Sequence, residues 1–452
     1  MNELKEVSAK TGIPIKELKR LLELPYGDGE LPMPIAKKNI GFANKTIKVL
    51  RDELDEELKQ DRKDFQKTVN SAFNLILGNL VVSVFSKHRL SLSGSEKSYN
   101  KGEYLNSLFL TFRAVHIVTN ALRKKGFITL KKGSKAKKQV NSYQPTKKLE
   151  LLLLPLIYGI QEEYIGDEKS LVIFKPADEG KDKSETKGKS KNHKLLVQSP
   201  TQNYIMRRRS RSPDLAADHP DRAGLRRINE YLKDVTYALK SPVKRIYSHN
   251  DPMQGGRLYV RLQGLPDRRA RIRINTLLNG KPVAEVDLSA NHPRMILALQ
   301  KKKLPANFYD DIAAKTKTTR EQVKFIVTRS IGASNKRIAL KPDAKEKDWY
   351  SDTFVLTHSE KEAIWQAIEA NNPTLYSQFF KGNGVYLQGL EGDIMMEAML
   401  DLINQDIPSL PIHDAIYVQR RHKNHAKKAL EKAWMEVLEV RFKPAIKIDL
   451  AA

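Results

Sequence analysis

The chain contains no cysteine among its 452 residues, which excludes disulfides, thiolate nucleophiles and Cys-ligated zinc. Its 10 histidines show no paired ligand spacing. Any metal must therefore be held by oxygen donors, which points to magnesium or manganese. No apolar run approaches the roughly 20 residues that span a bilayer, and Met1-Asn2-Glu3 begins no signal peptide. A soluble, intracellular protein without a membrane partner is expected. Acidic residues are outnumbered, 53 Asp+Glu against 80 Lys+Arg, for a net charge of +27. Such an excess favours a polyanionic partner through counterion release and electrostatic steering, and nucleic acid is the first candidate. The length allows about two to four domains, each with its own core.

Residues 1–100 read as a helical region. Glu6 to Leu18 shows two short helical patterns broken at Gly12, as in a helix-turn-helix or any helical hairpin, and Phe65 to Phe85 predicts an apolar core helix. A helix around Phe112–Leu122 places Val115, Val118 and Leu122 on one stripe and leaves Arg113, His116 and Asn120 off it. There follow a strand at Gly126–Leu130, a basic tip from Lys131 to Lys138, a returning segment Val140–Gln144, and a helix opened by Pro145-Thr146. Helix, strand, basic tip and strand predict a winged-helix-like nucleic-acid-binding module over 101–170. Its tip offers Lys131, Lys132, Lys135, Lys137 and Lys138 to phosphates; the alternative is a solvated hairpin tip. Residues 171–245 read as a basic linker with a helical, thumb-like segment. Lys175 to Lys194 has almost no apolar side chains to offset its ordering entropy, and Arg207-Arg208-Arg209-Ser210-Arg211 either grips phosphates or is merely solvated.

Two acidic islands stand in the basic C-terminal half. Val283–Leu288 reads as a buried strand with Asp287 near its end; Asn291-His292-Pro293 closes it, with Pro293 expected to open a helix over Arg294–Gln300. Leu410 to Val418 has apolar flanks around His413-Asp414, the pattern of a hairpin whose turn presents Asp414. Carboxylates from two neighbouring strands can hold two divalent ions roughly 3.5 to 4 Å apart, the arrangement used in phosphoryl transfer. Between the islands, Thr318 to Lys324 begins a threonine-capped helix in which Arg320 and Lys324 share a face. That face suits either two contacts along a triphosphate or plain solvation. Gly332 marks a close approach or a break.

Taken together, these segments resemble the family A DNA polymerases and the single-subunit phage RNA polymerases. Asp287-Leu288-Ser289 followed by Arg294 is similar to their motif A, Arg320 through Gly332 to motif B, and His413-Asp414 to motif C; Gln388-Gly389 with Asp393 is similar to the helix that precedes motif C. Gly255 to Tyr259 and Glu285 to Met295 resemble uncharacterised polymerase-like proteins of phages and mobile elements. The resemblance implies an α+β fold: a polymerase palm over 246–452 with a fingers insertion around 303–385, preceded by the mostly helical N-terminal region and its winged-helix-like module.

It also implies template-directed addition of deoxynucleoside triphosphates to a 3′ end, with a DNA template and primer or RNA as partners, in the cytoplasm of a bacterial or phage-infected cell. By this resemblance Asp287, Leu288 (through its carbonyl) and Asp414 bind magnesium or manganese, and Arg320 and Lys324 bind the triphosphate. Lys324 would give a proton to pyrophosphate, Gln388 and His413 would meet the primer end, and Arg257 and Arg294 would make strand or structural contacts. Four positions depart from the pattern. Thr328 replaces a large aromatic, and Ile331 or Gly332 stands where a nucleotide-stacking Tyr is expected. His292 takes the place where the DNA enzymes carry a Glu that blocks a 2′-hydroxyl, and is either such a gate or a helix cap. Ala415 replaces a Glu after motif C. The rival readings are a single-subunit RNA polymerase or primase, and a non-enzymatic DNA-binding replication initiator.

Overall fold

Glycine at position 12 divides two helices, α1 (Asn2–Thr11) and α2 (Ile15–Glu23), because the chain turns there at φ +67°, where a side chain would be strained. This is a computed structural model. It describes the chain apart from residues 1, 24–25, 33–48, 95, 97–98, 100–110, 135–139, 159–170, 176–214, 217, 249–250, 266–272, 341–355 and 451–452. Lys135, Lys137, Lys138, the basic segment 176–194 and Arg207–Arg211 thus lie outside the described residues.

A strand β1 (Gly27–Pro32) and a short helix α3 (Asp55–Leu58) precede α4 (Lys63–Ser86), whose Phe73, Ile76, Leu77 and Leu80 are fully buried. Next come β2 (His88–Leu92), α5 (Phe112–Lys124), β3 (Ile128–Lys131), β4 (Asn141–Pro145) and α6 (Lys147–Tyr158). Thr111 caps α5 by accepting from the Ala114 amide at 3.2 Å. The four strands form one sheet in the order β1-β2-β4-β3. Strand β2 pairs with β4 through Leu90 and Tyr143, so the division expected at residue 100 runs through a single sheet. Sequence periodicity missed this because β2 is five residues long and its partner lies far along the chain. Glu150 of α6 is buried but paired, accepting from Lys87 at 2.8 Å and from the Tyr26 hydroxyl at 2.5 Å, and so ties three segments together.

The C-terminal part begins with β5 (Val172–Phe174), α7 (Pro220–Leu232), β6 (Lys244–Ser248) and β7 (Asp251–Tyr259), the strands forming a sheet β5-β6-β7. The boundary expected at 245 therefore falls inside β6. Helix α7, read as thumb-like, packs on the long helix of this part rather than standing apart. A hairpin of β8 (Leu277–Leu278) and β9 (Lys281–Leu288) turns on Asn279-Gly280, both at positive φ, the pairing that suits a two-residue turn. Helix α8 (Asn291–Ala298) follows. Its first residue is Asn291, so Pro293 sits in its first turn rather than opening it, because Ala290 at φ +51° has already redirected the chain.

A purely helical stretch comes next among the described residues: α9 (Phe308–Thr316), α10 (Arg320–Gly332), α11 (Lys336–Leu340), α12 (His358–Asn371) and α13 (Pro373–Tyr376). Trp365 holds it together, donating to the Ser330 hydroxyl at 2.8 Å and meeting Phe380 edge-on. Then come α14 (Gly384–Asn404), β10 (Ser409–Ile412), β11 (Ala415–Gln419), α15 (Lys423–Val437) and β12 (Ile446–Leu450). An antiparallel sheet β10-β11-β9-β12, with β8 beside β9, has α14 and α15 packed against it and against each other. The described architecture mixes helices with largely antiparallel sheets, and none of the described helices is long and apolar enough to cross a membrane.

Helix α14 crosses β7 at almost bare backbone. A Cβ at Gly392 would lie 1.9 Å from the Gly256 carbonyl oxygen, and one at Gly389 would lie 3.1 Å from that of Gly255. Neither contact can be relieved by turning a side chain. Gly392→Ala is expected to cost about 3 kcal/mol or more of stability, whereas Gly264→Ala, whose Cβ would meet nothing within 4 Å, should be nearly neutral. Thermal unfolding of the two variants checks this; equal midpoints would refute the crossing.

Candidate functional site

Strand β9 alternates. Val286 and Leu288 point into the core, and Glu285 and Asp287 take the opposite, partly exposed face. Ala415 of β11 stands opposite Asp287, and Ile412 pairs with Ala415, so His413 and Asp414 make a two-residue turn at the end of Asp287's neighbour strand. His413 holds this turn at φ +56°. The Leu288 amide donates to the Asp414 carbonyl at 3.0 Å, which locks the turn onto the end of β9. Two carboxylates more than a hundred residues apart in sequence are thereby fixed side by side.

Their electrostatics follow. Burial first, then Asp414 and Glu285, push the Asp287 carboxyl up to about 7, against partial relief from Lys324 and Lys447. Asp414 is also raised, by burial and then by Glu391. The two titrate as a pair. Lys324 of α10 is exposed yet close enough to act on Asp287. Arg320, Lys324, Thr328 and Gly332 form the exposed stripe of α10 at four-residue spacing, and Thr319 with Gln322 completes a capping box at its start. Arg320 lies over the Tyr309 ring at 5.4 Å and 3.5 Å from Asp310.

Behind Asp414 sits a residue that the sequence reading did not single out. Glu391 of α14 is fully buried and pairs with Arg257 of β7 at 2.5 Å and with His292 Nε2 at 3.1 Å; the Asn291 amide group lies 3.5 Å away. Burial alone would raise the Glu391 carboxyl, but His292 and Arg257 outweigh it and hold the group below the usual range. Arg257 is correspondingly held above its ordinary value despite its burial, chiefly by Glu391. Two residues further along α14, Asp393 meets Arg245 at 2.5 Å, and Arg245 meets Asp221 of α7 at 2.7 Å, with Tyr247 also donating to Asp221. Only the position of Glu391 inside the Gln-Gly-x-x-x-Asp pattern hinted at it.

The remaining expected site residues divide. His413 stands at the hairpin turn with part of its surface open, and desolvation of its ring, followed by Arg273 and Arg257, lowers its pKa. Gln388 is partly exposed on α14. His292 does not stand alone beside the strand end, since its ring is engaged by Glu391. Arg294 donates to the carbonyls of Ser289 at 3.0 Å and Leu304 at 3.3 Å, pinning the turn out of β9 rather than reaching outward. Ile331 is completely buried and offers no surface to a nucleotide; the expectation fails because helical phase turns it inward. Gly332 ends α10 and lets the Gly384 backbone pass close by. Lys131 and Lys132 are exposed at the end of β3 and just beyond it.

Among the described residues, no group of three or more His, Asp or Glu side chains forms a closed metal cage. Asp287 and Asp414, with the Leu288 carbonyl next to Asp287 in sequence, offer an all-oxygen donor set in which a divalent cation would relieve the repulsion between the carboxylates. The residues thus fit a hard cation shared with a substrate rather than a fully protein-ligated ion. A scan against models of known protein families and a search of curated proteins found no match to the chain.

The raised pair gives a test by pH. The folded pKa of Asp287, about 7, lies above its ordinary 3.8. The contribution of the neutral form is complete below about pH 4 and is lost as pH rises through 7. In the presence of a chelator, Asp287→Asn should therefore raise stability by on the order of 1 kcal/mol at pH 8 and by much less at pH 5. Thermal melts of both proteins at the two pH values measure the difference; an equal gain at both would place the raised pKa elsewhere.

Proposed function

We propose that the chain is a template-directed nucleotidyltransferase that adds nucleoside triphosphates, deoxynucleotides in preference, to a 3′ end. The observation carrying this reading is the convergence of Asp287 and Asp414 from separate strands within electrostatic reach of Lys324 on an exposed cationic helix face. The order of these segments, similar to that of the family A and phage RNA polymerases, supports it. The central sheet serves as a palm and the helical stretch α9–α13 as fingers.

Bound magnesium or manganese would supply the Lewis acidity that activates a 3′-hydroxyl and offsets charge on the leaving pyrophosphate. The chain's own groups position the reactants. Asp287 and Asp414, with the Leu288 carbonyl, would hold the ions. Arg320 and Lys324 grip the triphosphate, and Lys324 is the group that gives a proton to pyrophosphate. His292, fixed by Glu391, crowds the 2′ position. Gln388 and His413 meet the primer end. Arg257 and Arg294 act by holding the site. Most of the acceleration comes from positioning and charge neutralisation.

The N-terminal sheet with α5 serves as a winged-helix module that binds duplex through phosphates, with Lys131 and Lys132 at the root of its wing. Its support is the order α4, β2, α5, β3, β4 and the pairing of β2, β4 and β3 into one sheet.

Primer extension on DNA and RNA templates with both nucleotide sets tests the reading. Asp287→Ala or Asp414→Ala should reduce nucleotide addition at least about a thousandfold, roughly 4 kcal/mol of transition-state stabilisation. Millimolar magnesium should raise the melting temperature of the parent protein and not of Asp287→Ala. Undiminished extension by both variants would remove the catalytic assignment. A preference for ribonucleotides would move the enzyme to RNA synthesis, and nucleic-acid binding without extension would leave an initiator.

A further inference from the structure

We infer that the exposed face of α5 reads base edges in the major groove of duplex DNA, so that the N-terminal module selects particular sequences rather than duplex in general. The inference rests on the duplex-binding reading of that module and is independent of the polymerase reading. Helix α5 contains no acidic residue. Arg113, His116, Asn120 and Arg123 are all exposed and recur at spacings of three or four residues, which aligns them along one side of a thirteen-residue helix. The opposite side, with Val115, Val118 and Leu122, is buried in the module core, so the helix is anchored while this row faces outward.

His116, Asn120 and Arg123 of this row line a groove of about 770 Å³ that Ile128 and Leu130 also line. Glu57 is an acid at the groove edge, and Lys124 and Lys125 flank it at 3.5 and 3.4 Å and offset its charge. Several reading groups are already ordered. The Arg113 guanidinium lies 4.9 Å from the centre of the Phe65 ring, the His116 ring stacks on Phe112, and Arg123 donates to the Asn120 side-chain oxygen at 3.4 Å. Pre-ordering lowers the entropy lost on binding. Lysines alone would serve phosphate contact. A row that mixes Arg, His and Asn instead matches the donor and acceptor pattern of base edges, Asn with adenine and Arg with guanine. The major groove of B-form DNA admits a helix, whereas that of A-form RNA is too narrow, which makes DNA the partner.

Selection by the full chain from a pool of random DNA duplexes tests this. Enrichment of a short common motif is expected. Arg113→Ala and Asn120→Ala should each relax the preference at one position of the motif by roughly tenfold, with little change in affinity for unrelated duplex. Lys131→Ala combined with Lys132→Ala should weaken binding to all duplexes alike. Because these side chains are exposed, circular dichroism should show every variant folded. Duplex binding without an enriched motif overturns the inference and leaves the duplex reading standing. No duplex binding overturns both. A motif that survives Asn120→Ala and Arg113→Ala unchanged, or enrichment of RNA over DNA, also overturns it.

Discussion

The approach of α14 to β7 is the constraint on which the C-terminal half depends. Gly389 and Gly392 on the helix leave no Cβ where it meets the Gly255 and Gly256 carbonyls of the strand, while a Cβ on either strand glycine would meet β6 instead. Backbones then come close enough for Glu391 and Asp393 to reach Arg257 and Arg245 on neighbouring strands. Glu391 is fully withdrawn from water and Asp393 about half so, and a buried charge such as that of Glu391 is tolerated only with a partner in contact. A wider crossing would strand two carboxylates and two guanidinium groups. The same helix packs on the hairpin strands that carry Asp414, so the crossing also sets the height of the carboxylate pair.

The site is consequently built in two layers of opposite electrostatic character. The inner layer, Arg257, Glu391 and His292, is self-neutralising. The outer layer, Asp287 and Asp414, has its pKa values raised first by burial and then by neighbouring carboxylates that its cations only partly offset. A protein selected for stability alone would have little reason to retain such a pair next to a balanced network, since replacing it with neutral residues would relieve the repulsion.

Much of this was legible in the sequence because it depends on local pattern. Gly12, the apolar stripe of α5, the Thr319 cap and the strands around Asp287 and Asp414 all follow from periodicity or turn chemistry. Long-range pairing was not legible. Nothing near His88–Leu92 says that it joins a sheet with residues 141–145, and nothing near Val172 says that it pairs with β6. Glu391 was hidden for a related reason: on a helix otherwise rich in apolar side chains, one acid gives no sign that its partners come from β7 and α8. Ile331 is the reverse case: its place in the motif points to the nucleotide site, while the phase of the helix turns it into the core.

Strand β9 lies between β11 and β12, and both of those strands are made after it. Beyond its short hairpin with β8, β9 must therefore wait for β11 on one edge and, until Leu450 has been made, for β12 on the other. Unpaired strand edges invite association with other chains. Its alternate positions Glu285 and Asp287 put charge on one face throughout that interval. Asp287 thus places a charge on a strand that waits for its partners, and it meets Asp414 when β11 pairs with β9, before β12 closes the other edge.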